Sequence, residues 1–213
     1  MTTNRRDFLM TSGFALSTVA LGTLALPRSV RPAPASGPAL GPVGVQLYSV
    51  RKAMQSDFEG TLQKVAAIGY KQVEFAGLFG HSSAEVRSML DRLGLSAPSM
   101  HVPFESLDTG WDAVIDDAHR LGCRYVIVPS IPGALRTSLD DYRRVADKFT
   151  RGAEAAAKAN LRFAYHNHDI DFAPIDRRLP FDVLLEATDP KLVGIELDLY
   201  WIVRSGQIGR AHV

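Results

Sequence analysis

The sequence predicts a parallel α/β fold of the (β/α)8 barrel type. Short apolar runs alternate with segments of helical periodicity, the pattern of a parallel sheet covered by helices. Four helical segments end at Gly69, Gly94, Gly122 and Asn160. Gly and Asn tolerate the left-handed backbone of a helix C-terminus, and an apolar run follows each of them. Polar residues end many of these runs, which favours a barrel, because a barrel collects all its strand ends at one mouth. We expect about six of the eight βα units in this chain.

The predicted strands are near-continuous apolar runs, as expected of parallel strands that are buried on both faces. They cover residues 43–48, 72–75, 97–101, 125–128, 162–166 and 193–198. Five helices are predicted from capping residues and apolar stripes. They begin near Asp57, after Ser82, at Trp111, after Ser138 and at Pro180. No Gly-x-Gly-x-x-Gly or Walker motif follows the first strand, which argues against a nucleotide-binding doubly wound sheet.

Length and composition fit one ordinary globular domain. The chain has 213 residues, of which 46% are hydrophobic and 22% charged, and its net charge is +1. A near-neutral charge gives no reason to expect a nucleic-acid partner. We divide the chain into a signal peptide at 1–35, a linker at 36–42, a partial barrel at 43–207 and a tail at 208–213.

The first 35 residues resemble a twin-arginine export signal. Arg5 and Arg6 precede an uncharged, moderately apolar run at 11–26, and Ala33-x-Ala35 is the expected cleavage site. The run is too short and too polar for a comfortable transmembrane helix. We expect no stable membrane insertion once the signal has been cleaved, and the alternative is an uncleaved anchor. We therefore expect a periplasmic or secreted protein and the twin-arginine machinery as a partner.

The last six residues do not continue the pattern. Residues 208–213 follow a strand end without a helix and resemble a translated sequencing adapter. We expect this tail to be non-native and the chain to be a C-terminal truncation. A barrel without its last two units has open strand edges, so we expect it to be insoluble or molten, and inactive.

Two of the predicted strands end in histidines and carboxylates. If those strands are neighbours, these side chains predict a divalent-metal site. The predicted metal ligands are Asp198, His166 and His168. The predicted catalytic residues are His166, His168 and Glu196. The predicted substrate-binding residues are Gln46, Tyr48, Glu74, His101 and Asn167. Taken singly, Glu74 is equally consistent with an ion pair to a neighbouring Lys or Arg and with substrate binding. His101 is equally consistent with a structural histidine and with a ligand contact.

Four motifs resemble the sugar phosphate isomerase/epimerase family of xylose isomerase-like TIM barrels. They lie at 44–51, 73–77, 165–172 and 196–201, and the resemblance covers about 42–206. The resemblance implies one divalent metal, Mn²⁺, Mg²⁺, Co²⁺ or Zn²⁺, held by Glu, Asp, His and Glu from the ends of strands five to eight. Asp198 matches the strand-six aspartate. His166 or His168 stands where relatives carry the strand-five glutamate, and the last two ligands would lie beyond Gln207.

The chemistry that the resemblance implies is proton abstraction next to a carbonyl of a sugar. Return of the proton to another position of the sugar gives isomerisation or epimerisation. Because an export signal argues against a phosphorylated cytosolic metabolite, we expect a free or glycosidic sugar, in particular a keto-sugar. The alternatives are a keto-sugar dehydratase or lyase, a carbohydrate-binding barrel without catalysis and, with the least support, a metal-dependent nuclease.

Overall fold

The computed structural model of the protein describes residues 41–207. The predicted signal peptide, most of the linker and the predicted tail lie outside the described residues. Within 41–207, the strands form one parallel sheet in the order β1-β2-β3-β4-β5-β6. They are β1 Gly44–Gln46, β2 Gln72–Phe75, β3 Ser96–His101, β4 Tyr125–Val128, β5 Arg162–His166 and β6 Val193–Glu196. A sequential order without a switch point is that of a barrel, so the prediction of six βα units of a (β/α)8 fold is confirmed.

Seven helices in the described range connect and cover the strands. They are α1 Arg51–Ser56, α2 Phe58–Ile68, α3 Ser83–Leu93, α4 Trp111–Leu121, α5 Leu139–Lys158, α6 Pro180–Glu186 and α7 Leu199–Arg204. The sequence did not predict α1 and α7, because six residues are too few for a periodic apolar stripe. None of the helices within 41–207 has the length and apolarity that crossing a membrane would require.

The predicted caps position these helices. Ser82 and Ser138 each form a capping box with the residue three positions later, at the starts of α3 and α5. Asn160 follows the last turn of α5 with a φ of 58°, in the left-handed region, and turns the chain into β5. Local sequence therefore determines where each strand can begin.

Packing outside the sheet fixes which side chains of β5 face the mouth. The rings of Phe163 and Tyr165 lie 5.3 and 5.2 Å from the ring of Phe149 on α5. Because side chains alternate along a strand, burial of Tyr165 against the helix layer directs His166 to the interior of the barrel. The apolar run of β5 thus orients the histidine at its end.

Two predicted strands are too long. β1 ends at Gln46 because the Gln46 side chain accepts a hydrogen bond from the Tyr48 N–H and starts a 3₁₀ turn over Leu47–Val50. β6 ends at Glu196, because Asp198 caps α7 by accepting from the Trp201 N–H at 3.2 Å. Tyr48 and Asp198 therefore belong to turns beyond their strands, and Asp198 does not share a strand face with Glu196.

Candidate active site

The carboxyl ends of the strands surround a pocket of about 770 Å³. This volume lies within the range of small-molecule sites. Strand-end polar side chains form its floor: Gln46, Glu74, His101, His166 and Glu196. Apolar side chains line much of its wall, including Val102, Pro103, Leu197, Leu199 and Trp201.

His101 is at the centre of the floor and contacts two carboxylates from other strands. Its Nε2 lies 2.8 Å from Glu196 Oε2 and 3.1 Å from Glu74 Oε1. The side chain of His101 is only 8% exposed. Ser99 donates to the second oxygen of Glu74 at 2.5 Å and fixes that carboxylate. Among residues 41–207, Glu74 therefore pairs with His101, and no Lys or Arg forms an ion pair with it.

These contacts shift the pKa values of both partners. Burial lowers the pKa of His101, but its hydrogen bonds to Glu196 and Glu74 outweigh burial and raise the pKa to about 9. Burial raises the pKa of Glu196, but hydrogen bonds from His101 and His166 outweigh it and hold that pKa well below its ordinary value. A proton at neutral pH therefore resides on His101, and Glu196 is ionised.

His166 lies between two carboxylates. Its Nδ1 is 2.8 Å from Glu196 Oε2, and its Nε2 is 3.4 Å from Asp198 Oδ2. The ring centroid of His166 is 5.2 Å from that of His101 and 4.9 Å from that of His168. The three imidazoles therefore form a row along the pocket, with His166 in the middle.

The donor atoms of this site fit a divalent metal. His101, His166 and Glu196 each offer one ligand atom, and these atoms lie within 4.8 Å of one another. Imidazole and carboxylate donors suit Zn²⁺, Co²⁺ or Mn²⁺. Two ligands bonded to tetrahedral zinc at about 2.0–2.1 Å lie about 3.3 Å apart. The 3.4 Å between His166 Nε2 and Asp198 Oδ2 matches that separation.

Comparison with known families identifies the barrel. The family model described as "Xylose isomerase-like TIM barrel" matches residues 62–210, which are 149 of the 213 residues. The chain belongs to this family. Among curated proteins, no significant match was found.

Solved structures agree with this assignment of the xylose isomerase-like barrel. A sugar phosphate isomerase/epimerase from Parabacteroides distasonis is 27% identical, with a TM-score of 0.69 over 81% of this chain and 70% of that protein. A probable 3-DHS dehydratase, AsbF, from Bacillus anthracis is 14% identical, with a TM-score of 0.58 over 78% of this chain and 66% of that one. The IOLI protein, which was solved with a bound zinc atom, is 11% identical, with a TM-score of 0.60 and the same coverage. The last two show likeness of fold.

Asn167 does not face the pocket of this xylose isomerase-like barrel. It is fully buried, its Nδ2 donates to the Asp198 carbonyl at 3.3 Å, and its Oδ1 accepts from the Asp198 N–H at 3.0 Å. Substrate binding by Asn167 stays a prediction without geometric support, because both polar ends of its side chain hold the backbone of Asp198. Asn167 instead positions a predicted metal ligand.

His168 lies beside the metal-type cluster and not within it. Its ring is 5.4 Å from that of Trp201. Burial and the neighbouring charge of His166 lower the pKa of His168, which favours its neutral imidazole. The structure thus places the second predicted histidine on the pocket wall, where it can exchange protons. Its proposed role as a metal ligand has no geometric support among the described residues.

Asp171 is a buried carboxylate that the sequence reasoning missed. It is 1% exposed and accepts hydrogen bonds from the Tyr165 hydroxyl and the His168 N–H, both at 2.8 Å. Burial raises the pKa of Asp171, and these hydrogen bonds limit the rise. The signal was its position three residues after His168, the spacing of a capping box. Asp171 holds the loop that carries Asn167 and His168.

The remaining predicted residues line the mouth. Tyr48 is 57% exposed at the pocket rim, and the Arg51 guanidinium lies 4.1 Å from the centre of its ring. Gln46 lies deeper, with its amide 3.4 Å from His101 Nδ1. Both positions allow contact with a ligand, so substrate binding by Tyr48 and Gln46 stays a prediction.

Proposed function

We propose that this xylose isomerase-like barrel is an isomerase or epimerase that abstracts a proton next to the carbonyl of a free or glycosidic keto-sugar. The family, and a relative named as a sugar phosphate isomerase/epimerase, support the reaction class. A pocket of about 770 Å³ with polar groups at its floor suits a sugar-sized ligand.

Two histidines that line one pocket in different surroundings are the main support: His101 contacts two carboxylates, whereas His168 lies beside the ring of Trp201. The pKa of His101 is raised to about 9, and the pKa of His168 is lowered. Titratable groups whose environments separate their pKa values in this way are suited to act as acid and base. We assign His168 as the base that removes the proton from carbon. We assign His101, which is protonated at neutral pH, as the acid.

One divalent metal, Mn²⁺, Mg²⁺, Co²⁺ or Zn²⁺, would complete the site. His166 would hold it through one ring nitrogen, either with Glu196 and His101 on its Nδ1 side or with Asp198 on its Nε2 side. The zinc atom in the IOLI protein supports a metal in this family. When bound, such an ion polarises a carbonyl oxygen. The protein groups orient the sugar and move the protons.

Deuterium exchange tests this proposal directly. We expect the full-length protein to exchange the hydrogen next to the carbonyl of its keto-sugar in D₂O, as measured by proton NMR. A chelator should abolish the exchange, and added Mn²⁺ should restore it. His168→Gln should lower the exchange rate about 10²–10⁴-fold, the usual contribution of a general base.

His119→Gln is the matched control, because His119 is exposed on α4 and lies outside the pocket. It should exchange like the wild type. Exchange that is indifferent to chelation would contradict the metal, and an unaffected His168→Gln would contradict the base. Loss of water or of an aglycone after exchange would identify the lyase alternative. Tight binding of keto-sugars without exchange would identify a binding protein.

We further propose that the protein acts in the periplasm or outside the cell. The support is the twin-arginine pattern at Arg5 and Arg6 and the cleavage context at Ala33-x-Ala35. In those compartments we expect an unphosphorylated sugar as the small-molecule partner and the twin-arginine machinery as a transient one. No nucleic-acid partner and no stable membrane insertion are expected.

A further inference from the structure

The surroundings of Gln46 determine the orientation of its amide. The backbone N–H of Tyr48 lies 2.6 Å from Gln46 Oε1. A backbone N–H can only donate, so the amide atom that faces it must be the oxygen. The amide nitrogen of Gln46 therefore faces the other way, 3.4 Å from His101 Nδ1.

Both sides of the His101 ring then favour the same location for its proton. An amide NH₂ can only donate, so it favours a lone pair on Nδ1. On the opposite side, Nε2 faces two acceptors, Glu196 Oε2 at 2.8 Å and Glu74 Oε1 at 3.1 Å. The charged or titratable groups around the ring are Glu74 on β2, Glu196 on β6 and His166 on β5, and the first two accept its proton.

We infer that Gln46 is a positioning residue that keeps a proton on His101 Nε2, so that His101 is a hydrogen-bond donor to the two carboxylates of this site and not a metal ligand. A protonated ring nitrogen has no lone pair for a metal. To bind a metal through Nε2, His101 would have to move its proton to Nδ1, and Gln46 would have to turn its amide and lose its bond to the Tyr48 N–H.

His166 faces a carboxylate at both ring nitrogens. Its Nδ1 lies 2.8 Å from Glu196 Oε2, and its Nε2 lies 3.4 Å from Asp198 Oδ2, the longer of the two contacts. A cation in place of a proton at Nε2 would stabilise the contact with Asp198. Because His101 keeps its proton on Nε2, Asp198 is the better of the two candidates for a ligand beside His166. This choice rests on the proposed function, whereas the location of the His101 proton does not.

Nitrogen NMR of the metal-free protein tests the proton position. With ¹⁵N-labelled histidine and His101→Gln for assignment, spectra are recorded at a pH where the His101 ring is neutral. We expect a pyrrole-like Nε2 and a pyridine-like Nδ1. Gln46→Glu, whose second oxygen would accept from Nδ1, should shift the neutral ring towards Nδ1–H. Gln46→Met leaves only the two carboxylates to direct the proton and should move the neutral ring partway from Nε2–H towards Nδ1–H, whereas Gln55→Met, an exposed site on α1, should give the wild-type spectrum.

Metal titration of the same proteins tests the consequence. His101→Gln keeps an N–H donor for the carboxylates and should bind Co²⁺ within about threefold of the wild type. His166→Gln should lose at least about tenfold in affinity. A pyridine-like Nε2 in the neutral wild-type ring, or equal losses for both variants, would overturn the inference. If the protein exchanged no hydrogen of any keto-sugar for deuterium, the proposed function would be overturned. The proton position found by NMR would not be affected.

Discussion

At the scale of single residues, buried polar side chains position the groups that face the pocket. Asn167 holds both backbone polar groups of Asp198, and Asp171 holds the N–H of His168. Neither side chain lines the pocket. Their effect on chemistry therefore acts through the two residues that they hold, and the cost of losing them comes from polar groups that are left buried without partners.

Asn167→Ala should show this cost. The Asp198 N–H and carbonyl would lose their partner, and an unsatisfied buried polar group costs about 1–3 kcal/mol. We expect a loss of unfolding free energy in that range by denaturant titration, together with weaker Co²⁺ binding. Gln55→Ala, which removes an exposed amide on α1, should change stability by less than about 0.5 kcal/mol. An Asn167→Ala protein with wild-type stability and metal affinity would contradict the positioning role.

At the scale of elements, the long helix α5 supports the strand that carries His166. Its capping box joins Ser138 and Asp141, and Thr137 and Ser138 both donate to the Asp141 carboxylate. Hydrogen bonds from Thr137 outweigh the effect of burial, and with those from Ser138 they lower the pKa of Asp141 to about 2. Because Phe149 on α5 packs against both outward rings of β5, the start of this helix contributes to the orientation of the site.

Ser138→Ala should weaken that helix start. Loss of an N-cap hydroxyl costs about 1 kcal/mol, which corresponds to a fall in melting temperature of about 2–4 °C for a domain of this size. Circular dichroism melts would measure it. Ser88→Ala is the matched control, because Ser88 is exposed within α3 and bonds only its own helix, to the Ala84 carbonyl at 3.0 Å. Equal melting temperatures for both variants would show that the cap is unimportant.

At the scale of the whole molecule, the proposed site and the proposed export depend on different parts of the chain. The residues of the proposed site lie in the described barrel at 41–207, and the proposed export signal lies at 1–35. Because twin-arginine export carries folded proteins, a metal could be acquired before export. Changes in the signal should therefore alter location without altering the chemistry of the site.

Replacing both Arg5 and Arg6 by Lys should block export. We expect the protein to accumulate in the bacterial cytoplasm, as measured by fractionation and immunoblotting. The variant Arg28→Lys, beyond the paired arginines, should be exported like the wild type. Export of the Arg5, Arg6 double variant at the wild-type level would contradict a twin-arginine route.

Much of the fold could be predicted from the sequence, because its signals are local. Apolar runs, cap residues and left-handed turn residues act over a few positions, so the bounds of β2, β4 and β5 were predicted as observed. The errors occur where a side chain ends a strand early. Gln46 and Asp198 each bond a nearby backbone N–H and start a turn, which an apolar pattern does not reveal.

The sequence by itself determined the fold class and the strand ends that carry His101, His166 and Glu196. Only the tertiary structure decided how they interact. His101 and Glu196 are 95 residues apart in sequence, and they meet because parallel strands present their carboxyl ends at one mouth. Which group donates and which accepts depends on atoms that approach within about 3 Å. Spacing along the chain does not contain that information, so the proposed separation of a hydrogen-bond donor from metal ligands depends on the folded structure.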